Sequence, residues 1–274
     1  MKVVVVGCGK MGERHARTLH RMGLEVGLVD VDQVRLERLA TELGNSQGPF
    51  RAAIVAVPTT QHFDLAYGLI SKGMHVLVEK PVAQYASEAI DLVERARWMG
   101  TVLHVGHIER FNPAFRRLAA AVKAPVIAEI SRCSVENGRC LDVHVVHDLM
   151  IHDLDLLISM LGMPLWQKAK GSADDAEAHL HFPCGSDAYL RASRVHDENV
   201  REWHTIYVDS PHAEDGYLRA DLLAEKAPLE DELAHFLDAV QQRRLDYEGA
   251  IQAADSVFLA EDIVRQVSQI RMAA

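Results

Sequence analysis

The fold is decided by the stretch Val3-Val4-Val5-Val6-Gly7-Cys8-Gly9-Lys10-Met11-Gly12, an apolar run that passes directly into a Gly-x-Gly-x-x-Gly turn. β-Branched residues favour a strand, and an uninterrupted apolar run suits a strand buried on both faces of a parallel sheet. The residues that follow, 11–22, show helical periodicity. The order strand, glycine turn, helix predicts a pyrophosphate site at the N-terminus of the helix.

Each glycine of this turn has an expected task. Gly7 permits the tight turn, Gly9 lets a pyrophosphate approach the backbone, and Gly12 lets the helix pack closely on the strand. The next predicted strand ends at Asp30, whose carboxylate can accept hydrogen bonds from an adenosine ribose and would repel a 2′-phosphate. We therefore expect NAD rather than NADP, although Arg35 lies nearby. The alternative is a glycine turn that binds nothing, with Asp30 as a strand-end cap.

Composition excludes several classes of function. The 274 residues are 49% hydrophobic and 25% charged, as in a soluble globular protein of one large or two medium domains. The net charge of −10 disfavours nucleic acid and anionic membrane surfaces as partners. The four cysteines form no Cys-x-x-Cys pair, which favours a reducing compartment, and we find no signal peptide or membrane span. A cytoplasmic protein is expected.

Strands and helices alternate along the first part of the chain. Further buried strands are predicted at 52–57, 74–78 and 101–105, with helices at 34–43, 61–72 and 86–99. This alternation predicts a doubly wound parallel sheet, an α/β fold. The 44–52 region leaves little room for one further strand, so we expect a trimmed sheet.

The pattern changes near Asn112. A helix at 114–122, a strand at 126–134 and a helix at 147–161 are followed by a β-rich segment, 166–218, in which 178–182 and 188–192 form a predicted hairpin. Helices at 229–242 and 247–270 complete the predicted elements. We therefore expect a dinucleotide-binding domain, 1–111, and an α+β domain with a mainly antiparallel open sheet, 112–274.

Two places carry polar residues suited to catalysis. Lys80 follows a buried strand and precedes Pro81, where an ammonium could donate to a substrate hydroxyl. Asp148 and His152 lie one helical turn apart, so the carboxylate could orient the imidazole as a general base, and Asp155 falls on the same helical face. The alternatives are a surface Lys paired with Glu79 and solvated charge on a helix.

A metal site is a more specific alternative to the general-base interpretation. Its ligands would be Asp148 and His152 together with His144 or His147. Against it, we find no second helix with a further carboxylate or His pair, and hydride transfer to NAD needs no metal. No metal is expected. A metal-assisted hydrolase would be the function if one were bound.

The chain resembles the glucose–fructose oxidoreductase, inositol dehydrogenase and MocA oxidoreductase family. The resemblance spans nearly the whole chain and rests on the Gly7–Gly12 turn, Val57-Pro58-Thr59 with His62, Glu79-Lys80-Pro81, and Asp148-x-x-x-His152-Asp153-x-Asp155. It implies an NAD(P)-dependent sugar or cyclitol dehydrogenase in which Lys80 contacts the reacting hydroxyl, His152 is the base and Asp148 assists. The cofactor residues that the motif and the resemblance together indicate are Gly7, Gly9, Lys10, Met11, Gly12, Asp30, Pro58, Thr59, His62, Glu79, Lys80 and His107.

The segment 106–113, Gly-His-Ile-Glu-Arg-Phe-Asn-Pro, resembles the branch that oxidises UDP-N-acetylglucosamine at C3 ahead of an aminotransferase in lipid A biosynthesis. It implies a nucleotide-sugar substrate bound by Glu109, Arg110 and Asn112 together with Lys80, Asp148 and His152. Arg191 and Arg194 are further candidates for binding a diphosphate. The family also implies a homo-oligomer formed through the C-terminal sheet. The alternatives are a dehydrogenase of a free sugar or inositol, and a non-catalytic NAD-sensing regulator on the same fold.

Overall fold

The computed structural model describes residues 1–135, 143–207, 217–222 and 229–272. Its strands are β1 (Lys2–Val6), β2 (Glu25–Val29), β3 (Ala52–Val55), β4 (His75–Glu79), β5 (Leu103–Gly106), β6 (Val126–Cys133), β7 (Trp166–Gly171), β8 (Asp175–His181), β9 (Asp187–Ser193), β10 (Val200–Tyr207) and β11 (Tyr217–Asp221). Its helices are α1 (Lys10–Arg21), α2 (Gln33–Leu43), α3 (His62–Ser71), α4 (Ala86–Met99), α5 (Pro113–Ala121), α6 (Ile151–Leu161), α7 (Leu229–Gln242) and α8 (Glu248–Met272).

The first sheet is parallel throughout and has the order β2-β1-β3-β4-β5. Its strands are buried on both faces, as the apolar runs predict: Val3, Val5, Ile54 and Leu77 have no exposed surface. No further strand lies beside β2 among the described residues, which confirms the expected trimmed sheet. Because the strands are parallel, their C-termini lie at one edge of the sheet. The glycine turn, the segment after β3 and the segment after β4 therefore all lie at that edge.

Helix α7 belongs to the core of this first sheet. Leu233 and Phe236 are fully buried in one cluster with strand residues such as Val3 and Leu77. The compact first unit therefore combines residues 1–108 with α7 and the start of α8 through Ala254. The sequence-based division into 1–111 and 112–274 places α7 in the second domain, because helical periodicity predicts an apolar face without saying which core that face joins.

The second unit contains a six-stranded mixed sheet of order β11-β10-β6-β9-β8-β7. Among the described strands of this second sheet, β6 and β9 pair in parallel and the other pairs are antiparallel, as predicted. The predicted hairpin is formed by β8 and β9, with Ala178 opposite Leu190. Along β8 buried residues alternate with partly exposed ones, so one face of the sheet packs on α6 residues such as Leu156 and the other stays open.

Among the described residues, no helix combines the length and apolar character that crossing a membrane requires.

Candidate cofactor and catalytic site

Two glycines of the first turn are required by the protein's own packing. Gly7 has φ of +95°, and a Cβ there would lie 2.5 Å from the carbonyl oxygen of Ala56. A Cβ on Gly12 would lie 1.7 Å from the carbonyl oxygen of Gly7. Both contacts are far inside van der Waals distance, so these positions accept only glycine, and helix α1 can approach β1 closely.

Gly9 differs from its two neighbours. A Cβ built there meets no protein atom closer than the Arg35 guanidinium at 3.9 Å, and its φ of −67° is open to any residue. The fold therefore leaves space beside Gly9 at the N-terminus of α1, where Lys10 and Met11 form the first turn. Unsatisfied amides and the positive end of the helix dipole favour an anion in such a space. The observed cradle fits the pyrophosphate of NAD.

The Asp30 carboxylate ties the end of β2 to the glycine turn. Oδ1 accepts a 2.7 Å hydrogen bond from the main-chain N–H of Asp32, and Oδ2 accepts one from the N–H of Cys8. The predicted bond from this carboxylate to a ribose remains a prediction. Arg35 pairs with Asp32 at 3.3 Å and is largely exposed. Burial, aided by the Asp30 charge, raises the pKa of the Cys8 thiol to about 11.

His62 joins the segments that follow β3 and β4. Its side chain is buried, with Nδ1 2.7 Å from the carbonyl oxygen of Pro81 and Nε2 2.9 Å from that of Val57. The ring thus lies between the Lys80–Pro81 segment and the Val57–Thr59 segment, and its single N–H in the neutral form can donate to one of the two carbonyls. Pro58 and Thr59 lie at the start of a 3₁₀ turn. Burial lowers the pKa of His62. Its contacts give it a positioning role, and its predicted contact with the cofactor remains a prediction.

Glu79, the last residue of β4, is also buried. Its Oε1 lies 2.7 Å from Nε2 of His15 on α1, and its Oε2 accepts a 3.3 Å bond from the N–H of Lys80. Burial raises the pKa of Glu79, but His15 and the Lys80 charge outweigh this and bring it below its ordinary value. Lys80 itself is half-buried, and His107 beyond β5 is buried. Because the charge of Lys80 acts on Glu79, the alternative in which these two residues pair stays open, as does the predicted contact of Lys80 with a substrate hydroxyl.

The Asp148–His152 motif lies where a π-helical turn, Val146–Met150, passes into α6. Such turns inside helices occur frequently at functional sites. The Asp148 side chain is mostly buried, and its Oδ2 lies 3.9 Å from the guanidinium of Arg194. His152, in the first turn of α6, is half-buried. His147 is also half-buried, and burial, with the neighbouring charge of His144, lowers its pKa to about 4.

A buried ionic network next to this motif was not predicted. Arg132 on β6 donates two 2.7 Å hydrogen bonds to the Asp153 carboxylate and a 3.1 Å bond to Glu109. Trp203 also donates to Asp153, at 3.2 Å. Burial lowers the pKa of Arg132, but the two carboxylates raise it by more, above its usual range. The members of this network are far apart in the sequence, so no local sequence pattern predicts it.

Asn112 and Glu109 are engaged within the second unit. Asn112 has no exposed surface: its Oδ1 accepts from the N–H of Ala114 and caps α5, while Nδ2 donates to Glu109 and to the carbonyl of Leu222. These contacts give both side chains a structural role. Their predicted binding of substrate remains a prediction.

Asp155, which helical spacing places near the face of His152, forms a buried ion pair. It is fully buried and accepts two hydrogen bonds from Arg110, one of them at 2.7 Å to Oδ2. The charge of Arg110 is thereby compensated. Arg194, one of the candidates for binding a diphosphate, is likewise buried, and it donates hydrogen bonds to Asp174 and to the carbonyls of Val143 and Ala173. These contacts give it a structural role, and its binding of a diphosphate remains a prediction. The solvated helix charge that was the alternative for this segment is also wrong, because Asp153 and Asp155 are buried and paired.

Arg191 is exposed and pairs with Asp175 at 3.1 Å. Within the described residues, no three His, Cys, Asp or Glu side chains are arranged to hold a metal ion.

The first unit therefore presents a glycine turn, a helix N-terminus, a fixed carboxylate at the end of β2 and a half-buried Lys at one sheet edge. The second presents an imidazole and a carboxylate on one helix. The first set is what binding a dinucleotide requires, and the second is what removing a proton requires. Together these features define an NAD-dependent oxidoreductase.

Comparison with known proteins confirms this class. The family model described as "Oxidoreductase family, NAD-binding Rossmann fold" (GFO_IDH_MocA) matches residues 1–107. UDP-N-acetylglucosamine 3-dehydrogenase of Acidithiobacillus ferrooxidans is 34% identical over 225 residues, which are 76% of this chain and 72% of that protein. A solved structure of that enzyme superimposes with a TM-score of 0.88 at 28% identity, over 97% of both chains.

A myo-inositol dehydrogenase of Streptomyces leeuwenhoekii is 28% identical over 257 residues, covering 84% of this chain and 76% of its own. The chain belongs to the GFO/IDH/MocA family of NAD-binding oxidoreductases. The predicted fold, the NAD cofactor and the predicted activity, a dehydrogenase of sugar-type hydroxyl groups, are all confirmed.

Proposed function

We propose that this enzyme oxidises a secondary hydroxyl of a nucleotide sugar, namely the C3 hydroxyl of UDP-N-acetylglucosamine. The observation that carries the proposal is the similarity, 34% in sequence and 0.88 in TM-score, to an enzyme named for that reaction. The segment 106–113 supports it from the sequence. The similarity to a myo-inositol dehydrogenase favours the second candidate, oxidation of a cyclitol or free sugar.

In the proposed mechanism, three side chains act on one hydroxyl. His152 removes the hydroxyl proton, Asp148 stabilises the imidazolium that forms, and the Lys80 ammonium donates a hydrogen bond to the developing alkoxide. NAD, when bound, supplies the hydride acceptor. The remaining task of the protein is alignment, which His62 supports by holding the segment that carries Lys80.

The test is NADH formation with four substrates: UDP-N-acetylglucosamine, UDP-glucose, glucose and myo-inositol. We expect the highest kcat/KM for UDP-N-acetylglucosamine, and transfer of deuterium to NAD from substrate labelled at C3. A higher kcat/KM for myo-inositol would establish the second candidate. NAD binding without turnover of any of the four would support a non-catalytic NAD sensor.

We propose further that the product is a 3-keto sugar of the kind that an aminotransferase consumes, as in lipid A biosynthesis. A reducing, cytoplasmic location is consistent with the free thiols Cys8, Cys133 and Cys184. Aminotransferase-coupled conversion of the product to an amino sugar tests the first point, and fractionation of cells tests the second.

A homo-oligomer through the open face of the second sheet is also proposed. That face carries Trp166 and Tyr189, which are 39% and 47% exposed, and His179 stacks on Tyr189 with a centroid distance of 4.2 Å. Light scattering should show a dimer or larger assembly that Tyr189→Glu dissociates. Ile90→Glu, a matched change at an exposed position on α4, should leave the assembly intact.

A further inference from the structure

A cavity lies at the edge of the first sheet opposite the glycine turn, where β3, β4 and β5 begin. Its volume is about 470 Å³, within the range of small-molecule sites. Arg51 precedes β3, His75 opens β4 and Thr101 precedes β5, while Lys72 and Arg243 follow α3 and α7. The cavity is therefore separate from the NAD site and belongs entirely to the first unit.

The charge of this cavity is of one sign. Arg51, Lys72 and Arg243 line it, and none of its lining residues is acidic. In the described part of the chain, none of these three cations forms an ion pair. Such a concentration of uncompensated positive charge is unusual on a chain whose net charge is −10. It indicates an anionic ligand.

A buried hydroxyl of the cavity lining is also without a partner. Thr101 is 2% exposed, and its Oγ1 makes no hydrogen bond to any described residue. Its main-chain groups, by contrast, are both used, by Ala96 and by the Tyr247 hydroxyl. Buried polar groups are rarely left unsatisfied, so a hydroxyl lining a cavity points to a ligand.

His75 can contribute a hydrogen-bond donor to the cavity, because its hydrogen bonding fixes the tautomer of the ring. Its Nδ1 accepts a 2.9 Å bond from the N–H of Val102, which leaves the proton of the neutral ring on Nε2. Burial, together with the charges of Arg51 and Arg243, lowers the pKa of His75.

Arg243 occupies a position that normally favours glycine. Its φ is +50°, and the next N–H, that of Arg244, bonds back to the carbonyl of Ala239 at 2.9 Å. This is the C′ position of a Schellman motif, where glycine has no steric penalty. An arginine at this position, in place of the favoured glycine, indicates that its charged side chain contributes to the cavity it lines.

A simpler explanation is that cations offset the negative ends of helix dipoles, since α3, α4 and α7 all end beside the cavity. It accounts for Lys72 and Arg243. It does not account for Arg51, which precedes a strand, or for the unpartnered hydroxyl of Thr101.

We propose that this cavity binds the phosphate group of a phosphorylated small molecule. Arg51, Lys72 and Arg243 pair with the phosphate oxygens, and the Thr101 hydroxyl and the His75 ring donate hydrogen bonds to them. The exposed carbons of Leu245 border the site and can contact the remainder of the ligand.

The test is calorimetric titration of inorganic pyrophosphate into protein saturated with NAD, so that the glycine turn is occupied. Wild type should bind, and Arg243→Gly should bind about tenfold more weakly or worse, because a charged hydrogen bond is lost. The control is Arg244→Ala: Arg244 pairs with Asp238 outside the cavity lining, and its loss should leave binding unchanged.

Thr101→Val provides the second variant. It removes the hydroxyl at nearly constant volume, so it should weaken pyrophosphate binding without lowering the unfolding temperature of the free protein. No binding by wild type, or equal binding by Arg243→Gly, Thr101→Val and wild type, would overturn the proposal. If Arg243→Gly does not fold, Arg51→Gln takes its place.

Discussion

Arg132 and Asp153 form a two-hydrogen-bond ion pair in which each residue is 2% exposed and both bonds measure 2.7 Å. Removing one member of such a pair leaves an uncompensated buried charge, which costs about 3–5 kcal/mol. Asp153→Asn should therefore lower the free energy of unfolding by about that amount in urea denaturation. Asp175→Asn breaks the exposed pair with Arg191 and should cost at most about 1 kcal/mol. Equal losses in both variants would contradict this.

Gly9 and Gly12 should respond differently to alanine. A Cβ on Gly12 would overlap the Gly7 carbonyl, so Gly12→Ala should prevent stable folding. The protein atom nearest to a Cβ on Gly9 is the Arg35 guanidinium at 3.9 Å, so Gly9→Ala should keep its unfolding free energy within about 0.5 kcal/mol of wild type. It should nevertheless bind NAD at least about tenfold more weakly, because the methyl group occupies the space for pyrophosphate. Unfolding curves and NAD titrations measure both, and normal NAD binding by Gly9→Ala would argue against the cradle.

Lys80→Met and His152→Asn should each retain NAD binding and lose about 10²–10⁴ in kcat, the contribution typical of proton transfer by a positioned side chain. Lys170→Met is the control, because Lys170 is 72% exposed and pairs only with Glu177 among the described residues. Steady-state rates with the best substrate and separate NAD titrations distinguish catalysis from cofactor affinity. Near-normal rates in both variants would refute the assignment.

Cys8 should be inert although it lies in the cofactor turn. With its pKa raised to about 11, the thiolate fraction at pH 8 is about one thousandth. Iodoacetamide at that pH should therefore label the exposed Cys184 and leave Cys8 unmodified, as peptide mass spectrometry can show. Rapid labelling of Cys8 in folded, NAD-free protein would contradict the burial of its thiol.

His147 should make stability depend on pH. Its pKa is lowered from 6.5 to about 4 by burial, so between these values the unfolded chain binds a proton that the folded chain does not. Stability should thus fall as pH decreases from 6.5 toward 4, with no contribution above 6.5. His147→Phe should flatten the urea-denaturation profile in that window, whereas His20→Phe, at an exposed position, should not. Identical slopes in wild type and His147→Phe would contradict the assignment.

The elements of the first sheet could be predicted because their signals are local. A Val run, a glycine turn and a helical repeat lie within twenty residues, and the short 44–52 region already indicated the missing strand. The hairpin of β8 and β9 was predicted for the same reason, from alternation on either side of one turn.

The contacts of the acidic helix could not be predicted, because the partners of Asp153 and Asp155 lie 21 and 45 residues away at Arg132 and Arg110. Helical spacing placed Asp155 with His152, but it could not show which acid faces a buried arginine. The π-helical turn was also missed, because it spans only five residues, too few for apolar periodicity to distinguish it from an α-helical turn.

The order in which the ribosome synthesises the chain determines when the first unit can complete its core. The core around Val3 and Leu77 needs Leu233 and Phe236, which are translated after nearly all of the second unit. A nascent chain of 111 residues would expose the apolar surface that α7 covers. NAD-binding capacity should therefore be acquired only near the end of synthesis, and a fragment ending at residue 111 should require α7, supplied as a separate peptide, to become soluble.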